Sequence, residues 1–183
     1  MGQPKALLPW QGTSLLEHQV SALRSAGADK VVVVLGHQPE QLIKALEEME
    51  GATWVINPDY LEGKTTSIKA GVGALGAEKP DILLILNVDQ PRSADTVRFL
   101  LQEHRSGKGL ITIPEYRGKG GHPILLDPSL LDELGSIEEE SLGIKAVVRR
   151  HQDSTRRVSM DNPEVLWDLN TPEEYHSALR SQT

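Results

Sequence analysis

The stretch ILLILNVDQP, residues 82–91, begins with five apolar residues and turns polar at Asn87, Asp89 and Gln90 before Pro91. A short apolar run bounded by turn-forming residues reads as a strand covered on both faces, as in a parallel sheet. A second such run, Val31 to Leu35, is β-branched and shows no alternation. Between and around these runs the apolar spacing changes to that of helices. Ser14 and Glu17 stand at capping-box spacing ahead of Leu16, Val20 and Leu23, and Gly27 supplies a stop. Pro39 opens a second helix carrying Leu42, Ile43 and Leu46, and residues 53–56 form the next strand.

The alternation continues past the opening stretch. A helix is expected over residues 65–75, and Ser93 caps another whose Val97, Leu100 and Leu101 face inward until Gly107. Residues 110–113 read as strand, 117–121 as a glycine-rich basic loop, and 123–126 as a short strand with Pro123 at its edge. Two helices are expected over 128–134 and 139–151, strands over 155–160 and 165–169, and a last helix from Thr171-Pro172 with Glu174 at capping-box spacing. Alternating helices and strands imply right-handed crossovers and a three-layer, doubly wound, mostly parallel α/β sheet of Rossmann-like type. Such sheets bind ligands beyond the carboxyl ends of their strands. Asp89 lies there.

Composition narrows the function classes. The 183 residues suit one domain spanning 1–183, and the sequence shows no repeat, low-complexity tract or linker. No apolar stretch approaches membrane length, and the first residues lack the pattern of a signal peptide, so a cytoplasmic protein without membrane contact is expected. The absence of cysteine excludes disulfides, thiolate nucleophiles and zinc ribbons. A net charge of −7 argues against a nucleic-acid partner. A small anionic ligand remains compatible, provided that local basic groups or a cation receive it.

Residues 1–12, MGQPKALLPWQG, resemble the second half of the signature that opens the MobA-like nucleotidyltransferases. Further similarities follow in that family's order: Val31 to Gly36; Asn57-Pro58 with Gly63 to Gly71; Asn87 to Pro91; Gly121-His122-Pro123; and Asp168 to Glu174. Together they span nearly the whole chain. The resemblance implies a nucleotide-diphospho-sugar transferase type of fold and a Mg2+-dependent reaction. An NMP group would pass from a nucleoside triphosphate, CTP or GTP, to a small phosphorylated acceptor, with molybdopterin one candidate. Two anions meet in such a transfer, and Mg2+ offsets their charge through hard oxygen ligands.

By the same resemblance, the metal ligands are Asp89 with Asn170 or Asp168, the last two placed on one face of a strand by their spacing. Lys5 contacts the triphosphate and acts with Asp89 in catalysis. Gly2, Gly63, Thr65, Thr66 and Ser67 border the nucleotide, where small residues at a helix start allow close approach. Gly121 and His122 border the acceptor, with Arg117 and Lys119 placed to attract its phosphate. Taken singly, Asp89 reads better as a cap or turn former, although Ser93 is the better placed cap. The remaining histidines, His18, His37, His104, His151 and His176, show no metal-ligand pairing and read as surface or packing residues.

Two departures qualify the resemblance. The family's first strand and most of its glycine-rich loop would precede Met1, which coincides with a methionine that family members carry internally. We therefore expect a truncated front, from a start assigned late, and a gap between the Val31 and Ile82 strands with unpaired backbone groups. Residues 140–145 replace a Gly-Asp-x-Gly-Ala-Arg segment, with Lys145 at the arginine, and Lys is not an equivalent phosphate fork. The acceptor, the base and the oligomeric state stay open. So do two other readings, a noncatalytic nucleotide-binding or regulatory module and a sugar-phosphate nucleotidyltransferase.

Overall fold

In the computed structural model, which describes residues 4–139 and 142–181, Ser14 and Glu17 form the reciprocal cap their spacing predicts. Two N–H groups at the helix start are thereby satisfied, an arrangement worth about 1 kcal/mol. Before this helix, α1 (Leu15–Ser25), residues Lys5–Leu7 form a 3-10 turn, and the short strands β1 (Pro9–Trp10) and β2 (Thr13–Ser14) make a hairpin. Then come β3 (Val31–Leu35), α2 (Glu40–Glu47), β4 (Ala52–Ile56), α3 (Lys64–Gly73), β5 (Leu83–Ile85) and α4 (Ala94–Ser106). The second half holds β6 (Ile111–Tyr116), β7 (Lys119–Gly120), β8 (Ile124–Leu126), α5 (Leu131–Gly135), α6 (Ile144–Arg150), β9 (Thr155–Ser159) and α7 (Pro172–Arg180).

Beyond the β1–β2 hairpin the strands form two sheets, the larger of them mixed. β3 and β4 pair in parallel, from Val31 opposite Ala52 to Leu35 opposite Ile56. In a second sheet β8 runs antiparallel to both β5 and β6, and β9 lies parallel to β6. It follows that β5, β6 and β9 all run one way, and their carboxyl ends share a rim with the amino end of β8. Side chains alternate between two faces. Leu83, Ile85, Ile124 and Leu126 pack beneath α3, α5 and α6, whereas Leu84, Leu125 and Val158 pack against α1 and α4. Three layers result.

Among the described residues β3 makes no ladder with β5, so each strand has an edge without a partner. The expected gap is therefore present. Its consequence is visible in the burial: Val32, Val33 and Val34, read from sequence as covered on both faces, are only half-buried, as is all of β5. Two expectations need correction. Residues 165–169 are not a strand, because Asn162 accepts from the Glu164 N–H and Pro163 starts a 3-10 turn, Pro163–Leu166, that the Trp167 N–H closes on the Glu164 carbonyl. The helix expected from residue 139 begins at Ile144, because Gly143 takes a positive φ of 54° and Glu139 turns away to cap α3. Among the described residues no helix is long and apolar enough to cross a membrane.

Candidate functional site

Asp89 sits in the loop that leaves the carboxyl end of β5, and this loop is held by groups from two other parts of the chain. Gln19, a buried residue on α1, donates to the carbonyls of Asn87 at 3.1 Å and Gln90 at 2.8 Å, and its side-chain oxygen accepts from the Arg92 N–H. The Asp89 carbonyl accepts from the Leu169 N–H at 2.8 Å, which stitches the loop to the segment ahead of α7. That segment is fixed in turn by the Thr171 capping box at the start of α7. Neither loop rests on side-chain packing alone.

The two loops meet over Lys5. Its Nζ donates to Asp89 Oδ2 at 3.3 Å and to Asn170 Oδ1 at 3.0 Å, across 84 and 165 positions of chain. Three residues singled out from sequence therefore converge on one point, with Lys5 and Asp89 still 33% and 21% exposed and so open to a ligand. Asp168 is half-buried close by, where its charge acts on Arg92 and His122, but no strand aligns it with Asn170. Among the described residues no three His, Cys, Asp or Glu side chains gather as a metal cluster. Asp89 and Asn170 nevertheless present two hard oxygens to one cation, here the Lys5 ammonium, and that donor set suits Mg2+ or Mn2+ completed by phosphate and water.

Arg92 organises the rim. Its side chain is 1% exposed and donates to the carbonyls of His122, Pro91 and Val165, each at 2.8 Å, and of Trp167 at 3.2 Å. Burial pushes its pKa down to about 10, opposed by Glu164, Asp168 and Asp89, so it stays a cation at neutral pH. One side chain thus ties together the loops bearing Asp89, His122 and Asp168. Its neighbour Glu164, also buried, accepts from the Ser93 hydroxyl at 2.8 Å. Burial likewise lowers the His122 imidazole below its ordinary value, and the Arg92 charge adds to the effect. His122 is therefore neutral at pH 7, and its buried Nδ1 has no partner. Gly121 before it is required for space, because a Cβ there would overlap the Val165 carbonyl.

The start of α3 forms a second cluster. Buried Asn57 donates to the hydroxyls of Thr66 at 2.9 Å and Ser67 at 3.0 Å, and its side-chain oxygen accepts from the Asp59 N–H. Gly63 holds φ at 121°, a conformation unsuited to other residues, and a Cβ there would strike the Glu139 carboxylate. That carboxylate accepts from the Thr65 N–H at 3.0 Å, and the bond holds it below the usual carboxylate range. Gly63, Thr65, Thr66 and Ser67 are thus brought together at one helix start. Gly2 lies outside the described residues.

Gly121 and His122 line a cleft of about 480 Å3 between the sheet and α6. Arg117 does not line it. It occupies the turn between β6 and β7 with a positive φ of 51° and lies 5.1 Å over the Tyr116 ring. Lys119 stands exposed on β7. The basic groups that do line the cleft, Lys145, Arg149 and Arg157, come from α6 and β9. The sequence reading passed over Arg149, Arg157, Gln19 and Arg92 as site residues. A polar Gln19 inside the Leu16-Val20-Leu23 stripe was the one local signal available.

Comparison with known proteins adds the following. Residues 1–155 match the profile of the MobA-like NTP transferase domain. The chain is 26% identical over 186 residues to molybdenum cofactor cytidylyltransferase of Escherichia coli (strain K12), covering 100% of this chain and 91% of that protein. It is 29% identical over 184 residues to nicotine blue oxidoreductase of Paenarthrobacter nicotinovorans, covering 96% and 88%. Among solved structures, Rv0371c from Mycobacterium tuberculosis H37Rv superposes with a TM-score of 0.79 at 25% identity, over 98% of this chain and 90% of that one. A nucleotidyl transferase from Methanothermobacter thermautotroptrophicus gives 0.80 at 25%, over 97% and 84%. The two sequence relatives carry different activity names, so neither name transfers a substrate to this chain.

Proposed function

The chain belongs to the MobA-like NTP transferase family, the nucleotidyltransferases, and from that premise we propose that it moves an NMP group from CTP or GTP to a small phosphorylated acceptor, releasing pyrophosphate. The observation that carries this reading is the Lys5 ammonium held between Asp89 Oδ2 and Asn170 Oδ1 at the carboxyl rim of the sheet. A phosphate oxygen of the acceptor attacks the α-phosphorus, the bond to the bridging oxygen of the β-phosphate breaks, and pyrophosphate leaves with that electron pair. An acceptor phosphate is mostly ionised at neutral pH, so no base need remove a proton. That suits a site in which His122 is neutral and only half-exposed. The protein's contribution is placement and charge.

Asp89 and Asn170 would hold a divalent ion, Mg2+ in this reading, which when bound supplies positive charge between the two substrates. Lys5 then stabilises the charge growing on the pyrophosphate. Gln19 and Arg92 keep the Asp89 and 163–170 loops in register, so that the oxygens meet without reorganisation. The helix start at Gly63 to Ser67 receives the nucleoside part, with the Thr65 N–H free to donate once the Glu139 carboxylate moves off.

A screen of all four triphosphates against phosphorylated acceptors, read as pyrophosphate release, tests the reading. CTP or GTP with one acceptor is expected to release pyrophosphate at a rate at least tenfold above the other triphosphates. Saturable nucleotide binding with no release under any acceptor would instead establish a noncatalytic module.

A further inference from the structure

β4 carries a free edge that lacks the features by which such edges are usually kept from pairing. Among the described residues its one partner strand is β3. The Val31 N–H donates to the Gly51 carbonyl at 3.3 Å, and the Asn57 N–H to the Leu35 carbonyl at 2.7 Å. In a parallel ladder of this register Thr53 and Val55 also turn their backbone groups toward β3, so Ala52, Trp54 and Ile56 turn theirs outward. Edge strands are ordinarily protected by charged side chains, proline or a bulge. Residues 52–56, ATWVI, hold no charge and no proline, and they pair with β3 residue for residue without a bulge. β3 has a free edge as well, but its five residues are buried or half-buried, whereas Thr53, Trp54 and Ile56 are exposed. Trp54 at 38% and Ile56 at 51% are two of the five large apolar side chains that stand in solvent among the described residues.

A second copy of the chain fits this edge. Turned about a two-fold axis at Trp54, the strand meets itself antiparallel, with Trp54 opposite Trp54 and Ala52 opposite Ile56 in both directions. Each of these pairs exchanges two backbone hydrogen bonds, because all three residues point their N–H and C=O groups outward. On one face two indoles meet and a small side chain meets a large one. On the other, Thr53 meets Val55. Cross-strand pairs of β-branched and aromatic residues stabilise a sheet. Two copies that each carry a net charge of −7 repel one another over most of their surfaces, but within this strand no charged side chain faces another across the axis. One patch thus serves both sides of the contact, as a two-fold interface requires. We propose that the protein forms a two-fold dimer through antiparallel β4–β4 pairing centred on Trp54, which joins the sheets of the two copies. The edge runs directly into Asn57, which holds Thr66 and Ser67 at the start of α3, so the pairing steadies the strand that carries this cluster.

Sedimentation equilibrium of the full chain up to about 100 µM is expected to show a reversible dimer with a dissociation constant on the order of 10 µM, in keeping with a contact smaller than a standard interface. Trp54→Lys sets two like charges opposite each other and should raise that constant by about tenfold or more, while cooperative thermal unfolding is kept. Register is read by cross-linking, which a sequence without cysteine makes simple. The Cα atoms of an antiparallel hydrogen-bonded pair lie about 5.5 Å apart, within disulfide reach. Oxidised Trp54→Cys is therefore expected to run as a covalent dimer on a non-reducing gel. Thr53→Cys, whose counterpart across the axis is Val55, should cross-link about tenfold less. A wild-type chain that sediments as a monomer throughout, which would leave the edge to a strand of some other protein, overturns the proposal. So does a dimer that Trp54→Lys leaves unchanged, or equal cross-linking at positions 53 and 54.

Discussion

Replacing Asp89 by alanine is expected to lower pyrophosphate release by about 10³-fold or more, the scale on which loss of a preorganised charge in a transfer site is felt. The fold should survive it. The Asp89 side chain makes an ion pair to Lys5 at 3.3 Å with both groups partly exposed, and pairs of that kind contribute at most about 1 kcal/mol. The loop itself is held through backbone groups that alanine retains: the Asp89 carbonyl on the Leu169 N–H, and Gln19 on the carbonyls of Asn87 and Gln90. Thermal unfolding should therefore shift by no more than a few degrees. Turnover near the wild-type rate in this variant would remove Asp89 from the chemistry.

The largest effect on stability is expected at Arg92. Arg92→Met keeps much of the apolar stem but withdraws every donor, leaving the carbonyls of His122, Val165 and Trp167 without this partner. Buried acceptors stranded in this way cost about 1–3 kcal/mol each, and breaking a buried charged network costs about 3–5 kcal/mol in total. Burial lowers the guanidinium only to about 10, so the loss should be the same from pH 6 to pH 8. For a chain of this length it corresponds to a fall in Tm of roughly 10 °C. Arg92→Lys should recover little, because one ammonium cannot serve carbonyls that a planar fork reaches together. A fall in Tm of under 2 °C for Arg92→Met would show that the three loops are held by something else.

Asp89 was legible in the sequence because the apolar strand ends abruptly in polar residues, and the α/β order told which end of that strand carries a site. Lys5 and Asn170 were legible only through resemblance, since nothing local marks two residues 165 positions apart as neighbours. Arg92 was hidden for a physical reason. An arginine after Pro91 reads as a solvated loop residue, and its burial depends on loops from 121–123 and 163–168 folding over it. The segment 165–169 looked like a strand by its apolar content, but Asn162 and Pro163 begin a tight turn that propensity within the segment does not register.

The cleft beside α6 shows the same limit. The basic loop at Arg117 and Lys119 attracts attention in sequence, yet the hairpin carries it away from the cleft, and the cations that line the cleft meet only when α6 packs beside β9. Residues 140–145 were compared with the family as a motif, whereas Lys145 acts with Arg149 and Arg157 as one wall. Its spacing along α6 was readable. Its partner strand was not.

The central claim is that Asp89 and Asn170 together hold a divalent ion where the substrates meet. Binding of Mn2+ to the full chain in the presence of CTP or GTP, followed by electron paramagnetic resonance, measures it most directly. The expected result is one Mn2+ per chain, with affinity reduced about 10- to 100-fold in Asn170→Ala and further in Asp89→Ala. Wild-type affinity in the Asp89→Ala, Asn170→Ala double variant would contradict it.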